Sequence, residues 1–352
     1  MSDAAASLRR LAGKSLFWPV AMLGLLLLVN LVTNPGFFAV TIRDGHLYGS
    51  VIDILNRASP LMIVAMGLTL VIATHGIDIS VGAVVAISGA VAAALIGGAL
   101  STGGGAGMED ATRFPLPVVL CGALGVALVF GMWNGALVAL VGMQPIIATL
   151  ILLVMGRGVA QLITDGQIIT IYYRPYHVIG NGFLLGVPVS LFIVAGVGAA
   201  LWGLTRRTAL GMFVEAIGIN PVASRLAGIR ARSITFACYA ACGLCAGIAG
   251  LIVSSNVKSA DGNNAGLLLE LDAILAVVLG GTSLSGGKFT LAGSVLGALI
   301  IQTLTTTIYA VGVPPEVNLV LKAIVVFLVS ILQSKKIRDL IERQRTRRVA
   351  VS

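Results

Sequence analysis

From residue 17 onward the chain is a succession of long apolar runs separated by short polar breaks. A helix needs about 20 predominantly apolar residues to cross the hydrocarbon core of a bilayer. Ten runs approach that length, at 17–33, 54–74, 77–98, 116–141, 146–164, 187–204, 233–254, 270–283, 289–311 and 316–333. The pattern predicts an all-α, polytopic membrane protein with about ten transmembrane helices. It divides into an N-terminal tail (1–16), a transmembrane domain (17–333) and a basic tail (334–352). The eighth run is short, and the second and third are separated only by Thr74, His75 and Gly76. Two segments, VIATHGIDISVGAVVAISGAVAAALI and VVLGGTSLSGGKFTLAGSVLGALI, each join apolar runs through a break rich in glycine and serine. Discontinuous helices with weak internal symmetry mark transporters built from repeats.

Composition agrees. Of 352 residues 57% are apolar and 11% charged, against about 25% charged in a soluble domain. The net charge of +9 could suggest nucleic-acid binding, but the basic residues cluster in both tails and in one central loop. An even number of spans puts both termini on one side. With both inside, 16 basic residues fall inside and 5 outside, the positive-inside bias of an inner-membrane protein with cytoplasmic termini. The first span is expected to be retained, because no small-residue cleavage site follows it. Cys121, Cys238, Cys242 and Cys245 all sit in apolar runs and read as small packing residues, not as a disulfide framework or a cluster site.

The one sizeable inner segment between spans is 205–232, TRRTALGMFVEAIGINPVASRLAGIRAR. Leu210, Phe213, Val214 and Ile217 recur at helical spacing as an apolar stripe that needs a cover, either a partner protein or the membrane surface. Asn220 before Pro221 is an N-cap signal for a second short helix, and Gly228 ends it. A turn is expected at Gly218–Asn220, and a β-branched residue at Gly218 would spoil it if the turn requires a positive φ.

No catalytic constellation stands out. LSGGK at Leu284–Lys288 is similar to an ATPase signature and to a phosphate-binding loop. The spacing from Gly281 to Gly287 is one residue too long, however, and Phe289 stands where a magnesium-binding hydroxyl is needed. The segment reads as a tight inner turn. His46, His75 and His177 lack metal-ligand spacing, and no cofactor is expected. Ionisable groups within spans are functional candidates by default. Asp78 either caps the helix beginning near Ser80 or faces the transport path. Glu270 and Asp272 open the eighth span, and Arg157 and Lys322 snorkel or pair inside the bundle. Neutral polar groups suited to hydrogen-bonding a sugar are Asn56, Thr74, Asn134, Gln144 and Gln161. The pathway or gating candidates are Asn56, Thr74, Asp78, Asn134 and Asp272.

TLVIATHGIDISVGAVVAISGA resembles the hallmark T-x-G-I-D-L-S-V-G segment of the ribose-type sugar ABC permeases, with Ile79 for the usual Leu. GMFVEAIGINPVASRLAGI resembles that family's cytoplasmic coupling segment, matching it at Gly211, Ala216, Gly218, Asn220, Ala223, Gly228 and Ile229. LELDAILAVVLGGTSLSGG resembles its third block. The likeness runs from about residue 50 to residue 333. Within the family, ILNRASP, LILLVMGRGVAQLITDGQI, DGNNAGLLLELDAILAVV and PPEVNLVLKAIVV look most like a galactofuranose importer permease. The resemblance implies a transport subunit that is not itself an enzyme. Its implied partners are an ABC ATPase, a periplasmic sugar-binding protein, a second permease and the lipid bilayer, with no nucleic acid. It implies alternating access, with ATPase coupling through Gly211, Phe213, Glu215, Ala216, Gly218, Asn220 and Gly228. The rival readings are an ABC permease for nucleosides or branched-chain amino acids, and an ion-coupled secondary transporter.

Overall fold

The computed structural model describes residues 16–33, 36–43, 46–97 and 112–310, together with 312, 317, 320–324 and 327. Both expected tails, apart from Leu16, and most of the tenth expected span lie outside the described residues.

Among the described residues, the first nine apolar runs fold largely as helices. The helices are α1 (Phe17–Thr33), α2 (Ser50–Ala73), α3 (Val81–Ile96), α4 (Leu116–Gly135), α5 (Pro145–Ile163), α6 (Arg174–Asn181) and α7 (Val189–Arg206). After these come α8 (Leu210–Ile219), α9 (Pro221–Leu226), α10 (Ala231–Val257), α11 (Leu269–Leu279) and α12 (Leu291–Ala310). Helix α4 continues through a π-helical turn, Ala136–Val141, and stops at Gly142 in the left-handed conformation. Among the described residues, six helices are long and apolar enough to cross a membrane, and α1, α3 and α8 are shorter apolar helices. The chain is a multi-pass, all-α membrane protein. Among the described residues, strand structure is confined to three antiparallel pairs at the loops. These are β1 (Thr41–Arg43) with β2 (His46–Tyr48), β3 (Ile168–Thr170) with β6 (Ser259–Asp261), and β4 (Phe183–Leu184) with β5 (Val187–Pro188).

Two helices form the axis. Helix α2 is buried on every side from Ala58 to Ala73, and α10 packs along α2, α3 and α4. Small residues permit this. A Cβ on Gly243 would lie 2.6 Å from Gly131 Cα and 2.8 Å from Ala127 O, so the backbones of α10 and α4 touch. In a bilayer, where lipid is as apolar as leucine, such close packing is what holds helices together. Cys238, Cys242 and Cys245 of α10 are buried free thiols, with Cys242 and Cys245 against Gly67 of α2.

Contacts along α10 serve as a depth scale. Phe236 meets Gly135, Cys245 meets Gly67, Gly250 meets Val85, and Ser254 meets Gly89. Helix α3 begins four residues before Val85, so its first turn stands beside the middle of the 27-residue α10. The expected third span, 77–98, is therefore a half-length helix preceded by extended backbone. The eighth, 270–283, is likewise short, with only 11 helical residues in α11. Both lengths follow from glycine and polar residues breaking the runs.

Filling the α10–α4 contact should be costly. Overpacking a close-packed site typically costs about 1–3 kcal/mol. Gly243→Val is expected to lower the melting temperature of the detergent-solubilised protein by several degrees. A melting curve superimposable on that of the parent would mean that the backbones do not touch.

Candidate functional site

The first break, Thr74–Ser80, begins where α2 runs out. Thr74 N–H bonds back to Leu70 O and Val71 O at 3.3 and 3.1 Å, and His75 takes a left-handed φ of 66°. The following residues are not helical, so their polar groups need partners from elsewhere. Three helices supply them. Tyr239 of α10 donates its hydroxyl to Ile77 O at 3.4 Å. Thr149 of α5 accepts from Ile79 N–H at 3.3 Å. Asn134 of α4 donates to Ser80 Oγ at 2.8 Å and to Asp78 Oδ1 at 3.4 Å. Asp78 is buried, and its Oδ1 also accepts from Ser80 N–H at 2.9 Å and Ser80 Oγ at 2.7 Å. Asp78 thus fixes Ser80, the residue that opens α3, and does not bond the first-turn amides themselves.

The second break descends from the opposite end. After β6, residues 262–268 lead into α11, with Leu268 in the left-handed region. Arg157, two-thirds of the way along α5, donates to Ala265 O at 2.5 Å and Asn263 O at 3.4 Å, and Gln161 donates to Asn263 Oδ1 at 2.6 Å. Non-helical backbone at membrane depth survives only where protein or a water-lined cavity covers it, and Arg157 is that cover. The two breaks meet at the N-termini of α3 and α11. A Cβ on Gly82 would lie 2.1 Å from Glu270 Oε2 and 2.4 Å from Gly266 O. The buried carboxylate of Glu270 is therefore seated against the first turn of α3 while standing in the first turn of its own helix. Both helix ends carry partial positive charge, which favours an anion there.

The third feature is a corner at the other end of α2. There α8, the end of α2 and the turn between α11 and α12 converge. Gly287 N–H donates to Ala73 O at 3.0 Å, and His75 Nδ1 donates to Ser285 O at 2.8 Å. A Cβ on Gly218 would fall 1.9 Å from Ala73 O and 2.3 Å from Gly287 N, and one on Gly286 would fall 2.9 Å from Gly218 O. The two glycine-rich breaks that echo each other in sequence thus touch here, with α8 wedged against both.

This corner corrects two sequence expectations. Gly218 lies inside α8 with helical backbone, and the chain turns at Asn220 (φ −154°, ψ 100°). The residue is glycine for close approach, not for a positive φ. The stripe Leu210, Phe213, Val214 and Ile217 does not face outward either. Val214 and Ile217 are buried, and Leu210 and Phe213 half-buried, against the bundle. The outward apolar surface is Met212 (65% exposed) and Ile219 (72%) on α8 with Val222 (62%) and Leu226 (86%) on α9. Gly211 is packed against Thr205 O, and Glu215 and Ala216 are half-buried. Asn220 Oδ1 accepts from Val222 and Ala223 N–H, both at 3.0 Å, and Gly228 follows α9 with φ 84°.

The pathway candidates do not form one site. Asp78 and Asn134 come together. Thr74 lines a cleft of about 240 Å³ with Ile217, Val141 and Arg225. Asn56 lies at the far end of α2, where its Oδ1 accepts from Ser190. Asp272 is paired with Lys322 at 2.9 Å. Ser80, Thr149, Tyr239 and Gly82 escaped sequence reasoning, because single hydroxyls and glycines in apolar runs carry no local signal.

Interrupted helices covering each other inside a bundle of long apolar helices are the architecture of a membrane transporter. The family model described as "Branched-chain amino acid transport system / permease component" matches residues 50–330, and the chain belongs to that family. It is 52% identical over 335 residues (94% of each chain) to the galactofuranose transporter permease protein YtfT of Escherichia coli K12. It is 39% identical over 347 residues (97% of this chain, 93% of the relative) to the fructose import permease protein FruF of Bifidobacterium longum. It is also 35% identical over 322 residues (90% and 93%) to the ribose import permease protein RbsC of E. coli K12. No solved structure matches. The chain is a transport subunit and not an enzyme, and an importer permease of this kind works with an ATPase and a substrate-binding protein.

Because every partner of Asp78 within the chain is a donor that an amide oxygen also satisfies, Asp78→Asn is expected to keep both stability and transport. Asp78→Ala should lose about 0.5–2 kcal/mol, the usual cost of deleting a cap-like acceptor, read as a drop in melting temperature. Abolished transport by Asp78→Asn at unchanged stability would show instead that the charge itself is used.

Proposed function

We propose that this chain is the membrane-spanning permease of an ATP-driven importer for a monosaccharide, galactofuranose or a close relative, in a bacterial inner membrane. The observation that carries the reading is the 52% identity to a galactofuranose permease across 94% of both chains, supported by near-full-length likeness to fructose and ribose permeases. That agreement favours sugars over the amino acids in the family's description. A periplasmic sugar-binding protein delivers the sugar, and a second permease, identical or related, completes the translocation unit. Uptake of labelled galactofuranose, ribose, fructose and leucine into proteoliposomes holding the assembled transporter tests this. Sugar should accumulate with ATP and leucine should not; the converse would assign the chain to amino acids.

In this reading Asp78, Asn134 and Thr74 belong to the moving region around the first break, and both termini and the 205–232 segment face the cytoplasm. Arg206, Arg207, Arg225, Arg230 and Arg232 all belong to that segment, which supports the orientation. Leu226 and Leu185 are highly exposed apolar residues at opposite ends of the bundle (86% and 89%). In a chain lacking its four native cysteines, a membrane-impermeant thiol reagent on spheroplasts should label Leu185→Cys and spare Leu226→Cys. The reverse pattern would invert the topology.

The ATPase docks on the outward face of α8 and α9 as a helix-in-groove contact, through Met212, Ile219, Val222 and Leu226, while Gly211, Phe213, Glu215, Ala216, Asn220 and Gly228 shape the pair of helices. Gly218 passes the motion to Ala73 and Gly287. In a helix interior Ala is better than Gly by roughly 0.5–1 kcal/mol, so a merely helical Gly218 would welcome Gly218→Ala. Close packing demands the opposite: Gly218→Ala should insert and bind the ATPase yet cut transport at least tenfold. Unchanged transport would break the proposed link.

A further inference from the structure

Helix α2 is buried all round except near its first two turns, and there one side of it is polar. Asp53, Asn56, Arg57 and Pro60 recur at the spacing that places residues on one helical face, and all four line a cleft of about 440 Å³. The opposite wall is the end of α10, with Val253 and Asn256, and the end of α6, with Asn181. The size falls within the range of small-molecule sites, about 300–1,000 Å³.

The polar groups of this cleft are held, and their free valences are defined. Asn56 Oδ1 accepts from Ser190 Oγ at 2.5 Å, and Ser190 in turn accepts from the buried Ser59 at 3.2 Å. That leaves the Asn56 amide protons for a ligand. Asn181 Nδ2 donates to Ser255 O and Asn256 O, both at 3.0 Å, which leaves its oxygen as acceptor. Asp53 and Arg57 contribute one negative and one positive charge, so the cleft favours neither anions nor cations. Pro60 and Val253 supply apolar wall between the polar groups. Oriented donors and acceptors, balanced charge and an apolar surface suit a neutral polyol, whose hydroxyls both donate and accept and whose C–H face is apolar.

We infer that this cleft is a monosaccharide-binding vestibule at the outer mouth of the permease, which the sugar occupies after leaving its binding protein and before the bundle rearranges. The inference rests on the sugar-importer reading and adds to it a site in the permease itself. From Ala58 inward α2 is sealed, and the cleft around Thr74 lies at its other end. The vestibule is therefore the outward half of an alternating-access route.

The test uses the assembled transporter in proteoliposomes with its binding protein and labelled galactofuranose, ribose and fructose. Asn56→Ala and Asn256→Ala should leave ATPase assembly and basal ATP hydrolysis unchanged and lower sugar uptake about tenfold. They should also narrow the preference for the sugar over its deoxy analogues, which a merely structural defect would not do. As a second measurement that leaves the polar groups intact, Val257→Cys at the rim, with Cys121 replaced, should react more slowly with a thiol reagent when millimolar sugar is present. Parent-like uptake by both alanine variants, with no protection at position 257, would overturn the inference. So would an uptake defect matched by weaker docking of the binding protein with selectivity intact, since the cleft would then be a protein-docking surface. If the unsubstituted transporter moves none of the three sugars, the sugar reading itself fails, and the vestibule with it.

Discussion

Backbone polar groups inside a bilayer must find partners within the protein, because the hydrocarbon offers none. This chain interrupts its helices twice at depth and so takes on that obligation twice. At Thr74–Ser80 the obligation is met by Tyr239 at Ile77 O, Thr149 at Ile79 N–H and Asp78 at Ser80 N–H, while Asn134 holds the side chains of Asp78 and Ser80. At 262–268 Arg157 takes two carbonyls and Asp261 accepts from Asn263 and Asn264 N–H. The consequence is geometric. One break enters from the side of the 205–232 segment and turns into a helix leading away from it, and the other enters from the opposite side. Their helix N-termini therefore meet in the middle, with Glu270 lodged against Gly82. Small shifts of either half-helix must disturb the other.

The first break and the turn after α11 are the points at which a motion applied at one face reaches the interior. Gly218 of α8 leaves no room between itself and the carbonyl that ends α2, or between itself and the turn at Gly286–Gly287. Close-packed interiors transmit displacement instead of absorbing it. Whatever moves α8 moves the start of one break and the turn that follows α11. Helix α10, which packs on α2, α3 and α4, is the frame against which these elements are set.

Much of this was legible in the residues. The apolar runs marked nearly every helix, and the N-cap of α9 at Asn220 and its end at Gly228 could be read from the Asn-Pro pair and the glycine. The eighth run was visibly short, whereas the third, read as a full span over 77–98, is a shorter helix that begins only at Val81. What a run cannot show is which face of an amphipathic helix is covered. Leu210, Phe213, Val214 and Ile217 need cover, and the bundle provides it, so the exposed face is the one holding Met212 and Ile219. Nor can a sequence say why a glycine is a glycine. Gly218 looked like a turn residue and is instead a contact, because the atom it avoids, Ala73 O, comes from a helix about 145 residues earlier in the chain. Long-range encounters of that kind, like Glu270 against Gly82, leave no local pattern.

Hydrogen–deuterium exchange on the intact transporter tests the link between α8 and the breaks most directly. Amides of α8, of residues 74–80 and of the turn 283–288 would be followed with and without a non-hydrolysable ATP analogue. If α8 drives the first break and the turn after α11 through Gly218, all three segments change protection together on nucleotide binding, and Gly218→Ala confines the change to α8. A change limited to α8 in the unsubstituted protein would contradict the mechanism.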